Sequence, residues 1–323
     1  KDFAGNHRIH LKLEGLNAAG SIKLKPAISM IEGLEQRGQI QPGQNRIIES
    51  SSGNLGIALS IVCKVKGYAF TCIMDPHASP VSVKLIKLYG GNVIQVTEKD
   101  EQGGYLNTRI RNIQELLRHD KDCVWTNQYA NPDNPLAHER TTAPEIFQAF
   151  PKLNFLFVGT STTGTLGGCA RFFKEHSPET RIIAVEPEGS VTFGHPAGRR
   201  LIPGLGASRR PEIASLDNVH EVLLVREEDT IATCWHMLER YGLFAGASTG
   251  TVLHAVRAYA DRMQPGALIV AISPDLGDKY LDTVYNPEWI RTQYGDNVIP
   301  VRQRPVNSEN LSLIPTPNYR GAK

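Results

Sequence analysis

The sequence predicts an α/β protein of two domains whose mostly parallel sheets are flanked by helices. Short apolar, strand-like runs alternate with helix-period segments along most of the chain. At 323 residues the chain exceeds the ~250–300 residues at which one hydrophobic core stops growing, so two domains with a cleft between them are expected. Composition is that of an ordinary globular protein, 41% hydrophobic and 21% charged.

Taken in order, residues 10–13 read as a strand and 26–37 as a helix with Pro26 in its first turn. Residues 46–49 form a short β run, followed by an apolar-periodic stretch over 55–65. Strand character returns at 69–74, helix at 82–88, and strand at 93–96. The segment 105–118 is helical, with apolar positions at Leu106, Ile110, Ile113 and Leu117. The second half repeats the alternation: strands at 155–158, 182–185, 222–225 and 268–272, and helices at 166–174, 230–240 and 251–262. No internal repeat interrupts the pattern. Beyond residue 300 the chain is rich in Pro, Asn, Ser and Arg and reads as a loosely ordered arm.

Charge and cysteines narrow the function. Lys and Arg number 35 against 33 acidic residues, a net charge of +2, which gives no general reason to expect a nucleic acid or an anionic membrane as partner. Any anion binding must therefore be local. Cys63, Cys72, Cys123, Cys169 and Cys234 are scattered and form no C-x-x-C pair, so buried free thiols are expected rather than disulfides, metal ligands or nucleophiles. That usage fits a reducing, cytoplasmic setting. No apolar stretch approaches the ~18 residues of a membrane span, and no signal peptide is visible. The chain begins at Lys1, already close to a strand, which leaves room for a segment upstream.

Sheets of this kind bind ligands outside the carboxyl ends of their strands, so the strand-to-helix turns are where chemistry is sought. The turn 17–23 sets small residues before one amine, Lys23; a helix start and burial both lower a lysine pKa and favour the nucleophilic neutral form. The turn 50–56 holds Ser51, Ser52, Gly53 and Asn54, a receptor for a carboxylate or phosphate at a helix N-terminus, with an amide able to bond a phenolic oxygen. The turn 159–165 lacks a Walker lysine and does not fit G-x-G-x-x-G, which disfavours a triphosphate or dinucleotide; a single phosphate monoester fits it well. The turn 244–251 contains Ser248, and 274–278 follows the last strand. Singly, each turn is also readable as a solvated lysine or an ordinary helix cap.

In this order the turns resemble the fold-type II pyridoxal-phosphate (PLP) enzymes of the cysteine synthase/cystathionine β-synthase family, over residues 11 to about 285. The stretches NQYANPDNPLAHERTTAPEI (127–146) and PGLGA (203–207) add to the likeness. It implies a tryptophan synthase β-like fold with a smaller, mobile N-terminal domain over 18–135, a larger PLP-binding domain over 1–17 and 136–299, and a C-terminal arm over 300–323. Lys23 falls where the family carries its Schiff base, and Asn54 beside the cofactor 3′-oxygen. Ser161, Thr162, Thr163, Gly164 and Thr165 match the phosphate cradle, Ser248 faces the pyridine nitrogen, and Ser51, Ser52 and Gly53 match the substrate-carboxylate loop.

Two departures, Leu24-Lys25 after the lysine and Leu55 after Asn54, separate the chain from a plain cysteine synthase. In IESSSGNLGIALS, GGYLNTRI, TNQYANP, VGTSTTGTLGG, SVTFG and IPGLGASRRPEI it resembles more the branch that makes N-(2-amino-2-carboxyethyl)-L-glutamate from O-phospho-L-serine and L-glutamate, the first step to 2,3-diaminopropionate in siderophore and antibiotic synthesis. Anionic substrates call for guanidinium groups. Arg109, on the helix after Gly103 and Gly104, and Tyr129 are the substrate-binding candidates, with Arg209 and Arg210 at the entrance. The resemblance also implies a homodimer and, as a pathway partner, an NAD-dependent dehydrogenase releasing 2,3-diaminopropionate. Open alternatives are a cysteine or cysteate synthase using sulfide or sulfite, a lyase or deaminase, and a non-catalytic PLP-binding regulator.

Overall fold

The computed structural model describes residues 3–100 and 104–298. Strand β1 (Arg8–Leu13) leads to helix α1 (Leu24–Gln36), β2 (Arg46–Ser50), α2 (Asn54–Lys66), β3 (Ala69–Met74), α3 (Pro80–Leu88), β4 (Asn92–Gln95), α4 (Leu106–His119) and β5 (Cys123–Trp125). A helical run follows: α5 (Asp133–Ala137), a π-helical turn (His138–Thr142) and α6 (Ala143–Ala149). Then come β6 (Phe155–Gly159), α7 (Gly164–His176), β7 (Arg181–Pro187), β8 (Glu221–Val225), α8 (Glu227–Tyr241), α9 (Ala247–Tyr259), β9 (Leu268–Ser273) and α10 (Pro287–Tyr294).

The strands form two sheets, and every pairing within them is parallel. One has the order β4-β3-β2-β5 and the other β1-β9-β6-β7-β8. The first strand of the chain thus joins the later sheet, with Arg8 opposite Leu268 and Leu13 opposite Ser273. Parallel pairing requires a crossover between neighbouring strands, which explains the alternation read from the sequence.

Side-chain alternation builds the core. In β6, Phe155 and Phe157 enter one apolar cluster with Ile269 and Ala271 of β9, while Leu156 and Val158 enter another with Val270 and Ile272. Successive residues of a strand point to opposite faces, so one run of four apolar residues fills the space under helices on both sides. A third cluster, including Met30, Ile31, Ile47, Leu59 and Phe70, packs α1 and α2 on the four-stranded sheet. Helix α2 ends at Gly67 with φ 80°, a left-handed stop that glycine adopts without Cβ strain.

Each predicted strand and helix is present, with ends displaced by a few residues. Three features were not predicted: β5, the helical run over 133–149, and α10. The run buries Asp133, Asn134, His138 and Thr142 alongside Pro135, Ala137, Ala143 and Ile146, so polar residues interrupt its apolar face. The predicted arm over 300–323 and Gly103 lie outside the described residues. Among the described residues, no helix is long and apolar enough to cross a membrane.

Candidate active site

The turn after β1 is tied down at several points. Asn17 donates from Nδ2 to the carbonyls of Glu14 and Ser21, each at 2.9 Å, and its Oδ1 accepts the amide of Ala19. Ser21 forms an isolated bridge with Asp275, and the amide of Ile22 reaches the carbonyl of Pro274 at 2.8 Å. Lys23 follows as the N-cap of α1. Burial draws its pKa down from 10.5 to about 8, against the opposing pull of the Asp275 carboxylate. Its Nζ has no hydrogen-bond partner among the described residues. A lysine near neutrality with a free Nζ is equipped as nucleophile or base.

The turn after β2 faces the same region. Ser51 Oγ accepts the amides of Gly53 (3.3 Å) and Gly56 (3.0 Å), which caps α2 and leaves its own hydrogen to donate. Ser52 bonds Asp75 and accepts from Arg109 Nη1 at 2.6 Å. Asn54 donates from Nδ2 to Asp275 Oδ2 at 2.7 Å. The Asp275 carboxylate also accepts the hydroxyl of Tyr280 at 3.0 Å.

The turn after β6 opens α7. Thr160 points inward to Val185 and Glu186, and Ser161 donates to the carbonyl of Gly206 at 3.2 Å. Thr162 Oγ1 accepts from Asn134 Nδ2, and Thr165 pairs with Nε2 of the buried His138 at 3.2 Å. Thr163 is left-handed, with φ 67°, and its buried Oγ1 has no partner among the described residues. That orphaned hydroxyl stands at a helix N-terminus whose first amides have no carbonyl a turn earlier, as a bound phosphate requires. A Cβ at Gly164 would overlap Asn134. Ser248, 4% exposed, lies in the first turn of α9, and its hydroxyl meets that of Tyr280.

Arg109 projects from α4 and pairs with Asp75 at 3.4 Å; its side chain is 11% exposed and its buried Nε has no partner among the described residues. Tyr129 lies beneath Arg209, whose guanidinium is 5.4 Å from the ring centroid. Burial raises the Tyr129 pKa, and Arg109, Arg209 and Arg200 oppose that rise from nearby. Below this turn the Glu49 carboxylate accepts from Trp125 Nε1, Thr126 Oγ1 and the amides of Ser50 and Gln128. Burial outweighs those bonds and raises the Glu49 pKa.

The residues singled out in the first three turns are thus at helix starts after strands, whereas Ser248 opens α9 in the turn that follows helix α8. Arg209 faces Tyr129, whereas Arg210 is exposed. Sequence reasoning missed Asp275, Lys279, Tyr280, His138 and Arg200 as members of the site. Residues 274–278 stood out as a turn, but nothing in them gave the direction of the Asp275 side chain. The cysteines are free as expected, with Cys63, Cys72, Cys169 and Cys234 buried and their thiols pushed up to about 12.

Comparison with known proteins agrees with this geometry. A family model described as "Pyridoxal-phosphate dependent enzyme" matches residues 2–275. The N-(2-amino-2-carboxyethyl)-L-glutamate synthase of Ralstonia nicotianae is 44% identical over 283 residues, covering 87% of this chain and 83% of the relative. That of Cupriavidus metallidurans is 40% identical over 312 residues, covering 95% and 89%. Among solved structures, an O-acetylserine dependent cystathionine beta-synthase from Helicobacter pylori superposes with TM-score 0.80 at 30% identity, covering 87% and 91%. An O-ureido-L-serine synthase superposes with TM-score 0.79 at 30% identity, covering 88% and 89%.

Proposed function

Since this chain belongs to the pyridoxal-phosphate dependent enzyme family, we propose that it replaces the phosphate of O-phospho-L-serine with the amine of L-glutamate. The product is N-(2-amino-2-carboxyethyl)-L-glutamate, and inorganic phosphate leaves. The observation that carries the choice of nucleophile is the placing of two guanidinium groups in this region, Arg109 on the Ser52 turn and Arg209 over Tyr129. Sulfide needs no such anion pocket; glutamate brings two carboxylates that do. The names of the Ralstonia and Cupriavidus relatives support the same reading.

Bound pyridoxal phosphate supplies an electron sink that makes the α-proton and the β-substituent of an amino acid labile. The chain's own residues would provide the rest. Ser161, Thr162, Thr163, Gly164 and Thr165 hold the phosphate through hydroxyls and helix-start amides; the orphaned Thr163 hydroxyl fits that role. Ser248 would offer the ring nitrogen a hydroxyl, a neutral partner that suits elimination and replacement over transamination. Asn54 would offer its amide to the ring oxygen. Ser51, Ser52 and Gly53 grip the substrate carboxylate, while Arg109 and Tyr129 contact its anionic groups. Lys23 would hold the cofactor, and its Nζ would accept the α-proton of the substrate and return one to the product. Burial keeps a useful share of that amine neutral at physiological pH.

The proposal extends to a cytoplasmic homodimer in which the unit over 18–135 closes on bound substrate against the unit over 1–17 and 136–299. The product would pass to an NAD-dependent dehydrogenase. Phosphate release from O-phospho-L-serine, measured with glutamate, sulfide or sulfite and with products identified by mass, tests the reading. Glutamate-dependent release of the condensed amino acid is the expected result. Release discharged only by sulfide or sulfite would move the chain to sulfur assimilation, and release to pyruvate and ammonia alone would make it a lyase.

A further inference from the structure

Lys279 has no part in the mechanism above, yet its amine lies at the centre of the site. Its Nζ donates to Asn54 Oδ1 at 2.6 Å and to the carbonyl of Gly20 at 3.0 Å. Those partners are 225 and 259 residues away in sequence. Lys279 therefore links the short turn after β9 to the loop before Lys23 and to the first residue of α2. Gly20 stands at φ 60°, a left-handed conformation that glycine adopts without strain and that turns its carbonyl to Nζ.

The chemistry of the contact fixes an orientation. An ammonium group only donates, so the atom of Asn54 that faces it must be the carbonyl oxygen. The amide nitrogen is then turned the other way, where Asp275 Oδ2 accepts one of its two hydrogens at 2.7 Å. An oppositely flipped Asn54 would set an NH₂ against the ammonium and a carbonyl against the carboxylate, two repulsive contacts in a half-buried site. The second amide hydrogen remains available to a ligand oxygen.

We propose that Lys279 is a positioning residue: it locks the side-chain amide of Asn54 so that its N–H is presented to the oxygen of the bound cofactor ring. This rests on the reading that the cleft holds pyridoxal phosphate with Asn54 at that oxygen. A bond from a charged donor of this kind contributes on the order of tenfold in an equilibrium constant. Removing it frees the amide to flip and loosens the loop that carries Lys23.

The test is a double-mutant cycle on the full chain, with cofactor affinity and the visible absorbance maximum of the cofactor-loaded protein as readouts. Lys279→Met is expected to weaken cofactor binding about tenfold and to shift the absorbance maximum in the same direction as Asn54→Ala. Lys279→Arg is expected to recover most of both. In the Asn54→Ala background, Lys279→Met is expected to add little. Should Lys279→Met not fold, Lys279→Gln carries the same cycle. Unchanged affinity and absorbance in the Lys279 variant would overturn the proposal, as would a loss that persists in full without Asn54. A wild-type chain that gives no absorbance band on adding the cofactor would sink the underlying reading, and this proposal with it.

Discussion

The guanidinium of Arg109 donates to the hydroxyl of Ser52 at 2.6 Å, joining the helix after β4 to the turn after β2. Asp75 holds both groups, bonding Ser52 and pairing with Arg109 at 3.4 Å. The turn after β2 and Arg109 are therefore one mechanical unit. Arg109 Nε is buried and has no partner among the described residues.

In its proposed role, Arg109→Ala should raise the KM for the anionic substrate by at least tenfold while cofactor affinity changes less than threefold, the loss expected for one charge-assisted bond. Steady-state kinetics beside a cofactor titration check this. Equal damage to both quantities would show that Arg109 supports the fold instead.

Lys23 should react as an amine of unusually low pKa. Labelling of the cofactor-free protein by a carbonyl reagent should rise through about pH 8 rather than near 10.5. Peptide mapping of the label against pH reads it directly, and a midpoint near 10 would refute the burial argument.

The same burial has a stability consequence. Below about pH 8 Lys23 is protonated in both folded and unfolded states, and the folded state bears the cost of a desolvated charge. Between about pH 8 and 10.5 the unfolded chain binds the extra proton, so stability gains with rising pH across that window. Lys23→Met should therefore stabilise the cofactor-free protein at pH 7 by on the order of 1–3 kcal/mol, with the gain shrinking towards pH 10.5. Denaturant unfolding at the two pH values measures it.

Asp275 pulls the Lys23 pKa upward. Neutralising it by Asp275→Asn should move the labelling midpoint of Lys23 to lower pH, whereas a shift to higher pH would contradict the assignment.

Gly164→Ala should cost about 1–3 kcal/mol, because the new methyl overlaps Asn134, which itself bonds the carbonyl of Gln128 and the hydroxyl of Thr162. Displacing Asn134 should also weaken binding of inorganic phosphate, followed by calorimetry.

What the sequence determined by itself was the periodic part of the molecule. Parallel strands buried on both faces read as apolar runs, and those before Lys23, Asn54 and Thr163 hand over to a helix through turns of small residues, so the strands of both sheets and these turns were legible; the Ser248 turn, between α8 and α9, stood out by its small residues alone. Local pattern failed where no period exists. Strand β5 has only Cys123, Val124 and Trp125, and the helices over 133–149 turn polar residues inward. Likewise, neighbouring arginines look alike in a sequence, and only the backbone sets Arg209 over Tyr129 while Arg210 faces solvent.

Tertiary structure alone decided the long-range contacts of the site. Asp275 meets Asn54 across 221 residues, and Lys279 meets it across 225. Parallel topology brings the carboxyl ends of strands together in space while their crossovers keep them far apart in the chain. A motif can mark each end. Which buried carboxylate and amine converge on it depends on how the strand ends are brought together, and no local spacing encodes that.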